Sequence, residues 1–303
     1  FYAPSLAVSR QVETTAEILA AIDTFLASPN IRTDSTAFVS GADDYLLDSA
    51  TAMANAMKNA GLETQTLISN SWGASDERAA LLDAPSTLIG LNQHGYHDRL
   101  VSPQRTAVTA QDIATSQADM RRALIVALAC HAGLNIPDAG GPNTLDLPQV
   151  FARKGAAYVG NTGFGWAVGE SVGLTEALAN AYINQLLSVQ SSGQPSPSVT
   201  IGEALRDAKR RYYLSTRHFD AYDEKVVNEF TLYGLPMFKF TPPPRPTPAA
   251  KSPVAGVSKV YRTHDGPRPD GVTPTDDPAL PPGLTVLEIT INGQPMTEVH
   301  VRD

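Results

Sequence analysis

Ser86–Gly95 reads STLIGLNQHG, and Arg122–Cys130 reads RALIVALAC. Each is a largely apolar run of strand length that ends on a reactive side chain: His94 in the first, and in the second Cys130, the only cysteine of the chain. Unbroken apolar runs of this length, as opposed to alternating ones, suit strands buried on both faces of a parallel sheet. In such sheets sites collect outside the carboxyl ends of the strands, so the two runs predict an imidazole beside a thiol. A cysteine with a histidine to manage its proton is the simplest way to build a thiol protease.

Outward from this pair, strand-like and helix-like segments alternate. Thr36–Gly41 (TAFVSG) reads as a short buried strand, and Tyr45–Asn59 as a helix with Leu46, Leu47, Ala50, Met53, Ala54 and Met57 at helical spacing. Gly61 ends that helix, and Glu63–Ser69 reads as the next strand. Gly155–Gly160 (GAAYVG) predicts a further strand leading to a Gly-rich turn. Gly169–Val189 and Ile201–Leu214 predict two amphipathic helices, and Phe230–Phe240 an edge strand interrupted by Pro236. Strands separated by helices of this length imply right-handed crossovers and an α/β fold whose mostly parallel sheet is covered on both faces.

Composition bounds the function classes. With 303 residues, 42% of them hydrophobic, the chain can fill a large core. Its 23 basic and 31 acidic residues leave a net charge of −8 without any long basic run, which argues against nucleic acid or an anionic membrane as partner. No uninterrupted apolar stretch approaches the ~18 residues of a membrane span. The sequence begins at Phe1, as a processed or excised product would, and no signal peptide is visible. A single cysteine excludes an internal disulfide. At Thr241–Pro248 (TPPPRPTP) the composition changes sharply. The expected division is a catalytic domain over 1–240, a stiff Pro-rich linker over 241–255 and a β-rich appendage over 256–303. In that appendage Leu284–Gly293 (LTVLEITING) alternates like a half-buried strand ending in an Asn-Gly turn.

The order of several motifs resembles the gingipain-like cysteine peptidases of the caspase-like clan. They are His94-Gly95, Ala129-Cys130, GAAYVG at 155–160, Gly202–Arg210 (GEALRDAKR) and Phe230–Pro236 (FTLYGLP). Val8–Arg10 and Thr15–Asp23 also look like the segment that introduces that family's catalytic domain, so the resemblance runs from about Leu6 to Phe240. It implies a caspase-like three-layer sandwich with a short C-terminal β segment, acting on protein or peptide substrates without a cofactor, on a secreted or cell-surface protein exported by a bacterial-type route. Cys130 would attack the scissile carbonyl as thiolate, His94 would handle the proton, and the N–H groups of Gly95 and Cys130 would form the oxyanion hole. The family's further upstream acid leaves Asp43 and Asp44 as candidates. Trp166 looks like the tryptophan that walls the S1 pocket of the arginine-specific members. If the chain is helical from Trp166, Glu170 lies on the same face one turn away, and a carboxylate beside an aromatic wall would favour Arg or Lys at P1. The acid this family places upstream of the histidine in that pocket falls two residues off register, leaving Asp44 or Asp48.

Each assignment has a plainer rival. A lone cysteine closing a buried strand is commonly a small core residue, Trp166 could be core, and Glu170 or the Asp43-Asp44 pair could serve only helix starts. His94, His97, Cys130 and His131 could instead hold zinc in a metal-dependent hydrolase, although structural zinc sites use tighter pairs. Asp265, Asp270, Asp276 and Asp277 could take a structural calcium, with a solvated loop as the default. A non-catalytic binding or surface module keeping the same fold is the rival from another class. It has no chemical need of the Cys–His pair.

Overall fold

A computed structural model of the chain describes residues 3–32, 34–137, 145–169, 171–187, 198–243, 284–291 and 294–301. Two units divide it, Phe1–Arg245 and Pro246–Asp303.

The first unit opens with α1 (Thr15–Ala27), where the Thr14 hydroxyl accepts from the Glu17 N–H and the Glu17 carboxylate accepts from the Thr14 N–H. Next come β1 (Thr36–Gly41), α2 (Asp44–Asn59) and β2 (Glu63–Ile68), followed by α3 (Ala74–Arg78), which continues as a π-helical turn over Ala79–Asp83. After β3 (Leu88–Asn92) the chain forms three short strands, β4 (His94–Tyr96), β5 (Arg99–Val101) and β6 (Ala107–Thr109). They lead through α4 (Ala110–Thr115) to β7 (Leu124–Ala127), α5 (Leu147–Arg153) and β8 (Ala157–Asn161). Last in this unit are α6 (Leu174–Leu187), β9 (Val199–Thr200), α7 (Ile201–Ser215), α8 (Ala221–Glu229), β10 (Phe230–Tyr233) and β11 (Lys239–Phe240).

Six strands form the central sheet in the order β10-β8-β7-β3-β1-β2, parallel throughout except for β10, which runs antiparallel to β8. Every residue of β3, β7 and β8 is buried, which is why their sequences read as largely apolar runs. Alternate side chains feed two cores. Val39, Leu88, Leu124 and Val126 pack with Met53 and Met57 of α2, Tyr182 of α6 and Leu205 of α7. Phe38, Ile89, Ile125 and Ala127 pack with Leu81, Ile113 of α4 and Phe151 of α5. The result is the three-layer α/β sandwich expected from the alternating pattern.

Three expectations need correction. His94 does not close the parallel strand: β3 ends at Asn92, whose buried amide bonds to the Ser40 carbonyl and the Ser49 hydroxyl, and His94 opens the antiparallel β4-β5-β6 sheet instead. The stretch from Trp166 is not helical, since α6 begins only at Leu174. The loop is instead pinned back onto the start of α6, Trp166 N–H donating to the Thr175 hydroxyl at 3.0 Å and Val168 N–H to the Glu176 carboxylate at 3.2 Å. Phe230–Phe240 is two strands: Gly234, at φ 103°, turns the chain so that β10 joins the central sheet and β11 pairs with β9.

In the second unit β12 (Leu284–Ile291) and β13 (Gln294–Val301) form an antiparallel hairpin in the register Leu284↔Val301 to Ile291↔Gln294. The Asn292-Gly293 turn, most of the linker and the four aspartates considered for calcium lie outside the described residues. Among the described residues no helix is long and apolar enough to cross a membrane.

Candidate active site

Because β8, β7, β3, β1 and β2 are parallel neighbours, their carboxyl ends line up along one edge of the sandwich. The segments that follow them bring out, in the same order, Trp166, Cys130, His94, Asp43 and Asn70.

The turn that carries Cys130 follows β7. The Asn161 amide donates to the Leu128 carbonyl at 3.0 Å, and His131, at φ 55°, donates its N–H to the Gly163 carbonyl at 2.6 Å, fixing the chain on both sides of Cys130. Cys130 is half-buried, with its thiol 3.8 Å from the Gly165 carbonyl. Gly95 packs against this turn so closely that a Cβ there would lie 2.8 Å from the Ala129 Cβ and 2.9 Å from the Arg99 carbonyl. Any larger residue would push His94-Gly95 away from Cys130, which is the physical reason for glycine after the histidine.

On the other side of His94, its Nε2 lies 2.5 Å from Asp43 Oδ2 and 2.9 Å from the Tyr45 hydroxyl, with the Tyr45 ring edge-on at 5.9 Å. An imidazole nitrogen offers one proton or one lone pair, so the carboxylate, which can only accept, calls for the Nε2–H form. Burial and the Asp43 charge raise the Tyr45 pKa, so the phenol stays neutral.

Asp43 occupies the N-cap position of α2, yet its side chain makes no capping bond and turns to His94 instead. The backbone departs from the norm as well, with φ 62° and ψ 141°, a conformation that costs a non-glycine residue on the order of 1–3 kcal/mol. The turn is held by Ala42 N–H donating to the Asn92 carbonyl at 3.0 Å and by Asp43 N–H donating to Asn70 Oδ1 at 2.7 Å. Asn70 Nδ2 donates to Asp44 Oδ1, also at 2.7 Å.

Beneath this side runs a buried polar chain. Asn180 donates to the Ser49 hydroxyl, Ser49 to Asn92 and Ser40 to Gln93, the residue before His94. Gln93 lies beside Glu77, which is fully buried, and offers its side-chain amide to the carboxylate. Desolvation outweighs the favourable amide and the neighbouring Arg78, and the Glu77 carboxyl is pushed up to about 7.

Toward Trp166 the surroundings become aromatic. The ring centroids of His131 and Phe164 are 4.7 Å apart, those of Phe164 and Trp166 5.8 Å, and those of Trp166 and Tyr222 4.7 Å. The Lys225 ammonium lies 5.4 Å from the Trp166 ring centroid. Glu176, buried at the start of α6, holds the loop through the N–H groups of Val168 and Gly173, and burial raises its pKa.

Of the residues expected from sequence, His94 and Asp43 are in contact, and Gly95 packs on Ala129, the residue before Cys130. Trp166 stands on the next strand end as a partly buried wall. Asp44 is engaged by Asn70, and Asp48 is exposed one turn further along α2. Glu170 lies outside the described residues, and the helix that was to align it with Trp166 is absent. His97 enters through its backbone carbonyl, which accepts from Leu147. Among the described residues no three His, Cys, Asp or Glu side chains gather as a metal site. Sequence reading missed Tyr45, Asn70 and Glu176. Tyr45 follows directly on Asp43-Asp44, whereas nothing local marks the other two.

A mostly parallel six-stranded sheet with helices on both faces, and a histidine and a cysteine after adjacent strands, define a caspase-like α/β sandwich. Solved structures carry the same fold. The Arg-specific cysteine proteinase gingipain R superposes over 97% of this chain with a TM-score of 0.61 at 12% identity, and the complex of Porphyromonas gingivalis RgpB pro- and mature domains over 100% with 0.57 at 13%. A third structure, described only as a protease, matches over 100% with a TM-score of 0.52 at 13% identity. The chain spans 64%, 69% and 76% of those three chains. No family model and no curated protein matches the sequence.

Proposed function

We propose that the protein is a cysteine endopeptidase in which Cys130 is the nucleophile, His94 the general acid and base, and Asp43 the carboxylate that orients the imidazole. The observation that carries this reading is the Asp43–His94 contact of 2.5 Å, obtained at the expense of a helix cap and an unfavourable backbone conformation, on the strand end next to the only cysteine.

With Nε2–H committed to Asp43, Nδ1 is the nitrogen left for chemistry. It takes the Cys130 proton, and the thiolate attacks the scissile carbonyl, forming the S–C bond as the carbonyl electrons move onto oxygen. The N–H groups of Gly95 and Cys130 stabilise that oxyanion, each worth about 2.7–4 kcal/mol in comparable sites. Nδ1–H then protonates the departing amine as the C–N bond breaks. In the second half water gives a proton to Nδ1 and attacks the thioester, and Cys130 leaves.

Arg or Lys is the P1 side chain we assign, with Trp166 as the pocket wall and Glu170, Asp44 or Asp48 as the candidate acids. Lys225 already sits against the Trp166 ring, so a basic P1 would use the remaining ring surface. The substrates would be proteins or peptides met outside the cell or at its surface. A fluorogenic peptide library varied at P1, run on wild type and Cys130→Ala, tests both levels. Cleavage after Arg or Lys that vanishes in the variant supports the whole reading, cleavage after another residue discards the pocket alone, and equal activity discards the thiol mechanism.

A further inference from the structure

The row of strand ends does not stop at Asp43. Next to β1 lies β2, at the sheet edge, and two residues beyond it Asn70 touches neither His94 nor Cys130 but holds the turn that carries Asp43. We propose that Asn70 is a positioning residue of the catalytic site, its amide clamping the Asp43-Asp44 turn so that the Asp43 carboxylate is aimed at His94.

This inference rests on the reading of Asp43 and His94 given above. At φ 62° and ψ 141° Asp43 occupies backbone space that suits glycine, and a side-chain-bearing residue stays there only when its surroundings over-determine it. Three backbone bonds act on the turn. Leu46 N–H to the Asp43 carbonyl at 2.9 Å belongs to the opening of α2, and Ala42 N–H to Asn92 fixes the residue before. Only the bond from Asp43 N–H to Asn70 Oδ1 fixes the peptide plane that sets the Asp43 φ angle. The other arm of the same amide holds Asp44, so one planar group grips consecutive residues.

The chemistry of the two contacts also selects the residue type. A backbone N–H must donate and a carboxylate must accept, so the group between them has to present an acceptor and a donor together, and only one orientation of the Asn70 amide does so. Alanine at this position offers neither. Aspartate offers the acceptor but sets two carboxylates against each other.

The test uses the full chain, whose single cysteine makes labelling unambiguous. The rate of Cys130 alkylation by iodoacetamide is followed against pH, and kcat and KM are measured with the best library peptide, for Asn70→Ala, Asn70→Asp, Asp43→Asn and the exchange Asn70→Asp with Asp44→Asn. Asn70→Ala is expected to lower kcat about three- to tenfold with KM held, the range that follows from losing one ordinary hydrogen bond. It should displace the pH profile in the same direction as Asp43→Asn and add nothing when combined with it. The exchange, in which carboxylate and amide trade places, should restore the wild-type profile where Asn70→Asp alone does not, and it keeps the test sharp if Asn70→Ala folds poorly. A wild-type profile in Asn70→Ala beside an altered Asp43→Asn, losses that multiply in the double variant, or an exchange that restores nothing would each overturn the clamp alone. A wild-type profile in Asp43→Asn overturns the orienting carboxylate, and the clamp with it.

Discussion

The two flanks of Cys130 are built differently. Toward His94 the site consists of successive strand ends tied by bonds of 2.5 to 3.0 Å from Asp43 and Tyr45 to His94, from Asp43 to Asn70 and from Ala42 to Asn92, over a buried polar chain that runs to Gln93 beside Glu77. Toward Trp166 it consists of a loop, anchored by Thr175 and Glu176 and lined by Phe164, Trp166 and Tyr222. On the proposed reading proton transfer, which needs one geometry held within a fraction of an ångström, falls to the strand ends, and recognition, which needs a surface that can fit a side chain, falls to the loop on its rigid frame.

The contrast breaks most readily at His94. His94→Ala should lower kcat/KM by about 10²- to 10⁴-fold, the range for a positioned acid–base group, while leaving the thermal midpoint near wild type. A loss under tenfold in steady-state assays would mean that the polar flank does not carry proton transfer.

Glu77 tests the buried base of the same flank. Its carboxyl is raised from 4.5 to about 7 by burial, so the folded protein holds a proton that the unfolded chain gives up near 4.5. The stability that comes with this protonation is complete below pH 4.5 and is lost as pH rises to about 7, a span worth about 3 kcal/mol. Glu77→Gln should remove most of that slope in urea unfolding between pH 5 and 8 and leave the variant the more stable protein at pH 8. Equal slopes in the two proteins would show that Glu77 is hydrated or ionised in its site.

Asp43→Asn sharpens the comparison from within the turn. Loss of a charge-assisted hydrogen bond worth about 1.5–3 kcal/mol predicts a fall in kcat of about ten- to a hundredfold, with KM little changed. On the loop flank the signature reverses. Trp166→Ala should raise KM for Arg or Lys substrates about three- to tenfold, the scale of an exposed to partly desolvated cation–π contact, with kcat less affected. A kcat effect from Trp166→Ala as large as that of Asp43→Asn would erase the distinction between the flanks.

The same contrast decided what could be read from the sequence. His94 and Cys130 stood out because fully buried parallel strands leave unbroken apolar runs, and a reactive residue closing such a run is visible without any partner. His94 nonetheless falls one element beyond the run, because β3 ends at Asn92, whose polar side chain turns inward. Asp43 was in view as an acid, but local sequence makes it an N-cap. Its alternative role depends on a positive φ and on Asn70, 27 residues away. On the loop flank a helical period was extended back over Gly169 and Gly173, where side chains of Thr175 and Glu176 take the backbone N–H groups and delay the helix to Leu174. Side chains that satisfy backbone eight and nine positions away leave no periodic trace, so the Trp166–Glu170 alignment fails although Trp166 itself follows the expected strand.

Covalent capture asks whether Cys130 is a nucleophile prepared by His94. A peptidyl chloromethyl ketone with Arg or Lys at P1 is incubated with native wild type, native His94→Ala and urea-unfolded wild type, and the adduct is located by mass spectrometry. Rapid labelling at Cys130 is expected in the native wild type only, blocked by competing peptide substrate. Labelling of His94→Ala or of the unfolded chain as fast as the native wild type would mark Cys130 as an ordinary thiol and contradict the account.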